Sequence, residues 1–349
     1  LVENKSLIKA DGGLVVMSAK AANNLAFSAV NNNGVVQAMS VVQKNGRILL
    51  DAEGGQSTVS GTLNASSVDG KGGQVVVTGK QVMIADGAHL NASGLTGGGD
   101  VLVGGSWQGS DASVRQAVGT VVMPGALLQA NATGNGNGGT VVVWSDINNP
   151  LSVTRAYGTF EAFGGTNGGN GGRIETSGHW LDVAGSRGGA SAVNGNAGVW
   201  LLDPYNVNVV ATPSTITPTG ASNDTYTSGA GTSDVLSTDI VSKLKAGTSV
   251  VLQTGGAAGD GFGNGDITVN ADIIMDSYTG SVVSLTLNAI GDIVINNAIQ
   301  NTIGTLNLKF NSGGSIRGAG ALGSGAGSTT FTVGSGSGDL SGIISGGST

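Results

Sequence analysis

The chain has 349 residues, of which 64 are glycine, 39% are hydrophobic, 4% are aromatic and 11% are charged. Five prolines without a triplet period exclude collagen, abundant aliphatic residues with little charge exclude a disordered tail, and no run of about 20 apolar residues offers a membrane span. Fifteen basic against 22 acidic residues give a net charge of −7, which argues against nucleic acid as a partner; zero cysteines remove disulfides, thiolate zinc sites and cysteine nucleophiles.

One pattern recurs from the start of the chain: an apolar residue, a polar residue, Ala, a turn of variable length, a Gly pair, then a β-branched run. It reads LIKADGGLVVMSA at 7–19, TLNASSVDGKGGQVVVTGK at 62–80, HLNASGLTGGGDVLVGG at 89–105, LLQANATGNGNGGTVVVWSD at 127–146 and TFEAFGGTNGGNGGRIETSG at 159–178. A looser copy, VVQAMSVVQKNGRILLDA, fills 35–52. The alanines are Ala10, Ala38, Ala65, Ala92, Ala130 and Ala162, separated by 28, 27, 27, 38 and 32 residues. A period near 27 with insertions predicts a solenoid in which each copy buries its apolar face on the next. The runs Val75-Val76-Val77, Val101-Leu102-Val103 and Val141-Val142-Val143 are too short for helices and are bounded by glycine, so they read as strands. Two-residue hairpin turns do not recur, and turns of variable length suit a coil that winds one way. The expected fold is therefore all-β, a right-handed parallel β-helix, because parallel crossovers are right-handed.

Regular β-helix is expected over 1–205. Residues 206–247 read as an excursion: Pro213, Pro218 and many Thr, Ser and Gly over 211–233 suggest a loop, and TDIVSKLKA at 238–246 suggests one short helix. Thr238 could cap that helix, Ile240, Val241 and Leu244 share a face, and Gly247 would end it. Further coils are expected over 248–310, with Leu285, Leu287, Leu306 and Leu308 pointing inward by alternation. Residues 311–349, mostly Gly, Ser and Thr, read as weak coils or a frayed tail.

Chemistry-bearing motifs are sparse. His89 and His179 stand alone and read as surface residues. GDGFGNGDITV at 259–269 has the alternating Gly and Asp of a calcium-binding nonapeptide, but Asp260 and Asp266 supply only two carboxylates, so it reads as a glycine corner and no metal is expected. Sequons at Asn4, Asn64, Asn91, Asn131 and Asn223 read as structural asparagines of coil corners. Alternation puts Val141 and Val143 inside, and Val142 and Trp144 on the outer face. An outward Trp144 could stack on a sugar, or it could pack beneath the loop at 146–156; Trp107, Trp180 and Trp200 carry the same ambiguity. Trp144 is the one candidate ligand-binding residue.

The stretches LVENKSLIKADGGLVVMSAKAANNL, GGQVVVTGK, GGGDVLVGGSWQG, ATGNGNGGTVVVWSD, GGNGGRIETSGHWLDVAG and AGVWLLDPYNV, in this order, closely resemble large exoproteins of the filamentous haemagglutinin type. That family is exported by two-partner secretion and includes high-molecular-weight adhesins. The resemblance covers about residues 1–210, and 248–310 more loosely. It implies a secreted, cell-surface adhesin segment, an outer-membrane β-barrel transporter as the export partner, and a host-cell or matrix receptor or a biofilm polysaccharide as the target. The family's N-P-N-type secretion motif is missing here, which places the segment at the end of the secretion domain or just beyond it. No cofactor and no catalytic residue carry over. The rival classes are a carbohydrate-binding module, which needs exposed aromatics in one strip, and a polysaccharide-degrading enzyme, which needs carboxylates gathered on one groove.

Overall fold

The computed structural model describes residues 1–20, 29–40, 45–212, 232–255, 264–276, 278 and 280–334. Its strands stack as a parallel β-helix. Every ladder between the described strands is parallel, and each strand pairs with those about one repeat before and after it. Three faces make a coil. The first carries the strands that follow the Gly pairs, such as Asp100–Val103, Thr140–Trp144 and Arg173–Gly178. The second carries Gly119–Val122, Val153–Ala156 and Trp180–Asp182, and the third carries His89–Asn91, Leu127–Gln129 and Thr159–Glu161. The long strands Arg47–Val59 and Gln74–Ile84 bend from the first face into the second.

Stacked columns of like side chains fill the tube. Val75, Val101, Val141 and Ile174 sit in register on the first face and are 0% exposed. Leu63, Leu90, Leu128 and Phe160 do the same on the third. The repeated alanines turn the corner after the third face, and Ala38, Ala65, Ala92, Ala130 and Ala162 are all buried at 0%. The corners that carry a Gly pair close in the same way, whereas at the Ala38 corner Gly46 N–H donates to Ser40 Oγ at 3.0 Å. The second glycine of the pair donates its N–H back to the alanine carbonyl, at 2.7 Å in Gly73 to Ala65, 2.8 Å in Gly99 to Ala92 and 2.7 Å in Gly139 to Ala130. A Cβ on Gly139 would sit 1.9 Å from the Gly99 carbonyl oxygen of the coil below, so the stacking distance itself demands glycine there.

Between 199 and 253 the chain departs from the simple winding. Val207–Val210 and Ser233–Leu236 are both second-face strands, paired with each other in parallel. The later one lies beneath the earlier, beside Trp180–Asp182, where the Leu181 N–H donates to Ser233 Oγ at 2.9 Å. The expected excursion over 206–247 thus narrows, because strands of the stack occupy both its ends; Pro213 and Pro218 lie outside the described residues. The helix Ser237–Lys245 then takes the place of a third-face strand, packing between Arg187–Gly189 and Ile273–Met275. Ile240 and Leu244 face the core at 1% and 0% exposure, and Gly247, with φ +77°, ends the helix. Thr238 is not the cap: the helix begins one residue earlier, the N-cap is Leu236, and no side chain caps it.

Beyond 310 the coil continues through Ile316–Gly318, Leu322–Gly323 and Thr329–Val333, so this stretch is not frayed; residues 335–349 lie outside the described residues. Leu285, Leu287, Leu306 and Leu308 point inward, each at 0% exposure. Among the described residues no helix is long and apolar enough to cross a membrane.

Candidate functional site

The first face is unusual in being covered on its outside as well as its inside. Outward-pointing side chains in register form an aliphatic column, Val16, Leu49, Val76, Leu102 and Val142. Val16 is 50% exposed, but Val76, Leu102 and Val142 are 1%, 7% and 0% exposed. A strap, residues 104–118, leaves the first face after Val103 and returns to the second at Gly119, laying Val114 across that column. Its ends are tied by Gly104 N to Val77 O at 2.8 Å, Ala117 N to Gly104 O at 2.7 Å and Val118 N to Lys80 O at 2.8 Å.

Trp144 lies under this strap. Its side chain points outward from the strand, as alternation requires, with Val141 and Val143 on the inside. Yet it is only 3% exposed, packed with Val76, Leu102, Val114, Val142 and Ile147. Its Nε1 donates to Gln116 Oε1 at 3.0 Å, and a Cβ on Gly105 would sit 2.2 Å from its Cδ1. Glycine at 105 is what lets the strap lie flat on the indole. The expectation of sugar stacking at Trp144 is therefore corrected: no ring face is open. Its cover comes mainly from the strap of the preceding coil, with Ile147 of the 146–156 loop contributing.

Glu175 stands in the same outward column, between Val142 and Leu201. It is 0% exposed; its Oε2 accepts the Gln108 N–H of the strap at 2.7 Å and its Oε1 accepts Ser177 Oγ–H at 2.9 Å. Gln108 adopts φ 50° and ψ 30°, a conformation L-residues seldom take. One coil along, Asp203 is 5% exposed and accepts Gln253 Nε2–H at 2.9 Å. Burial pushes the Glu175 carboxyl up to about 8, against the pull of its hydrogen bonds and with help from Asp203, and burial pushes Asp203 up to about 7. Burial thus holds both carboxyls above the ordinary carboxylate range, and the strap roofs Glu175. Among the described residues no three His, Cys, Asp or Glu side chains gather closely enough to hold a metal ion.

The other tryptophans each carry a cation on one ring. Arg173 lies over Trp107 at 4.5 Å, Arg155 over Trp180 at 4.9 Å and Lys243 over Trp200 at 4.2 Å. Trp180 is 7% exposed and Trp200, in the tube, is 0% exposed, which leaves Trp107 as the half-buried one. His179 is not a surface residue: it is 6% exposed, stacked on Tyr205 at 4.2 Å, with Nδ1 at 3.0 Å from the Ile147 carbonyl. His89 joins a polar ladder on the outside of the third face, its Nε2 2.8 Å from Gln129 Oε1, while Gln129 donates to Glu161 at 2.6 Å.

The sequon asparagines do corner work. Asn64 and Asn91 accept the N–H of Ser66 and Ser93 at 3.0 and 2.8 Å, two residues on, as Asx turns. Asn131 reaches across a coil instead, accepting Phe163 N–H at 2.8 Å, and Asn4 donates to Asn32 Oδ1 at 2.8 Å; Asn223 lies outside the described residues. Asp266 likewise serves a corner, accepting the Asp292 N–H at 2.7 Å, and Asp260 lies outside the described residues. The strap was not legible as a cover, because SWQGSDASVRQAV has no periodicity; the Gly104-Gly105 pair ahead of a tryptophan was its only sign. No protein-family model and no curated protein matches the chain.

Proposed function

We propose that the chain is a stiff segment of a secreted bacterial surface adhesin of the filamentous haemagglutinin type, holding binding regions away from the cell. The support is the unbroken parallel stack: first-face strands pair in sequence from Leu14–Lys20 to Thr329–Val333, with one continuous aliphatic core. A tube held by backbone ladders along its length resists bending, and each coil contacts mainly its neighbours. Such a chain folds rung by rung as it leaves a pore. The export partner in this proposal is an outer-membrane β-barrel transporter, and the target is a host-cell or matrix receptor or a biofilm polysaccharide. Many weak sites on one cell gain strength by avidity. The role is mechanical, with no catalytic step assigned to the chain.

The test is export and adhesion in one strain. The segment, fused behind a two-partner secretion signal with its cognate transporter, is compared with a Leu90→Ala, Leu128→Ala double variant that hollows the third face. Slower surface appearance of the variant and loss of cell attachment are expected. Export indifferent to the double substitution, together with beads coated in the intact segment that attach to no host cell, matrix or bacterial surface, would contradict the proposal.

A further inference from the structure

We infer that the polar groove along the corner preceding the first face is a binding site for a polysaccharide carrying carboxylates at intervals. The groove has a volume of about 610 Å³ and spans several coils, walled by Lys71, Asp100, Asn137, Thr140, Asn170 and Arg173. A depression of about 250 Å³ shares Lys71 and Asp100 with it and adds Arg47.

The floor is the stacked glycine corners. A Cβ on Gly98, Gly138 or Gly171 would meet the Ala130, Ala162 or Ala190 carbonyl oxygen at 1.9, 2.0 or 1.7 Å. Close stacking thus keeps this corner bare of side chains, and a long shallow channel follows the rod axis. Its walls present donors in steps. Asn137 Oδ1 accepts Asn170 N–H at 2.8 Å, and Asn170 Oδ1 accepts Asn196 N–H at 2.9 Å. Each carboxamide is thereby oriented, with its Nδ2 left to donate outward. Arg173 is oriented too, by its Nε to Thr140 Oγ1 at 3.0 Å and by the Trp107 ring beneath its guanidinium. Its terminal nitrogens remain for a planar, bidentate acceptor such as a carboxylate.

The charge pattern selects the occupant. Among the described residues no direct ion pair takes Lys71, Arg173 or Arg47, and of these Arg47 feels the charge of Asp111. Arg47, Gln74, Asp100, Thr140 and Arg173 lie in register on successive rungs. At ~4.8 Å per rung the two arginines are roughly 19 Å apart. Between them stand an amide, a carboxylate and a hydroxyl, with Lys71 on the adjoining corner. Asp100 repels a densely charged polymer, and a neutral one leaves Lys71 and the terminal nitrogens of Arg173 without a charged acceptor. An extended chain with hydroxyls at most positions and carboxylates at some matches both.

The inference deepens the adhesin reading and takes its biological setting from it, but its test needs only the isolated chain. Titration calorimetry compares partly methyl-esterified oligogalacturonate, the fully esterified neutral form, dextran sulfate and an oligoglutamate peptide. The partly esterified form is expected to bind at least tenfold more tightly than the other three, and more weakly as salt rises. Lys71→Glu, and separately Asn137→Asp, which keeps the acceptor and removes the donor, should each weaken binding several-fold with the unfolding temperature unchanged. Lys80→Glu, which leaves the groove untouched, should change nothing. Absence of binding, equal binding of the neutral form, tighter binding of oligoglutamate or dextran sulfate, or indifference to Lys71→Glu would each overturn it. Cell attachment can fail while this binding stands, and the reverse, so the two proposals fail separately.

Discussion

Glu175 occupies a position that Val142 and Leu201, the rungs on either side, give to aliphatic side chains. Its charged form has no water around it, so the folded protein holds the proton more tightly than the unfolded chain. The sign follows directly. Its contribution is fully present below the ordinary carboxyl value of 4.5 and is lost as pH rises through about 8. Asp203 adds the same trend up to about 7. Urea unfolding should therefore show stability falling by a few kcal/mol between pH 4.5 and pH 8, and Glu175→Gln should flatten much of that slope; an unchanged slope would contradict it. A second residue-scale prediction concerns the corner. Gly139→Ala puts a methyl group against the Gly99 carbonyl and should cost about 1–3 kcal/mol or more, against far less for Gly323→Ala, whose Cβ would meet nothing nearer than Gln300 Cγ at 3.6 Å. The Ala and Gly-Gly spacing was legible in the sequence because sterics at the corner leave few alternatives. Glu175 was not, since burial of an outward residue depends on a strap from another coil.

At the scale of elements, the helix Ser237–Lys245 substitutes for a strand and brings Lys243 with it. Lys243 is 3% exposed, donates to Ser186 Oγ at 3.0 Å and lies over Trp200. Burial lowers its ammonium to about 8, against the pull of Asp239. Between about 8 and 10.5 the unfolded chain holds this proton and the folded chain releases it, so stability rises across that window. Lys243→Met fills the same space without charge. It should be neutral to stabilising by ~1 kcal/mol at pH 7, with the difference vanishing above pH 10.5, as thermal unfolding across pH would show. A large loss at pH 7 would mean that the cation over Trp200 outweighs its desolvation. The helix was legible from Ile240, Val241, Leu244 and Gly247. Its docking between third-face strands was not, and neither was the strand Ser233–Leu236, whose single Val-Leu pair gives no alternation to read. Trp144 shows the same limit: alternation gave its direction, while its cover came from a segment 26 to 40 positions earlier.

For the whole molecule, the parallel stack is the feature on which both proposals stand. The period near 27 made it legible, because most coils before residue 199 repeat the same corner closure and the same inward columns. The groove was less legible, since its floor is an absence of side chains and its walls come from residues about a repeat apart. Coil-by-coil contact also means that damage should stay local: opening one rung should leave distant rungs protected in hydrogen exchange. The most direct measurement is a set of pulsed electron spin distances along one outer column. Lys9, Gln37, Asn64, Asn91, Gln129 and Glu161 lie in register on consecutive rungs of the third face. With one label at Lys9 and the other at Asn91, Gln129 or Glu161, the mean distance should grow steadily, by ~4.8 Å per rung, to about 24 Å. Distances that shorten or fail to order with rung number, as opposed strands in a sandwich would produce, would contradict the rod.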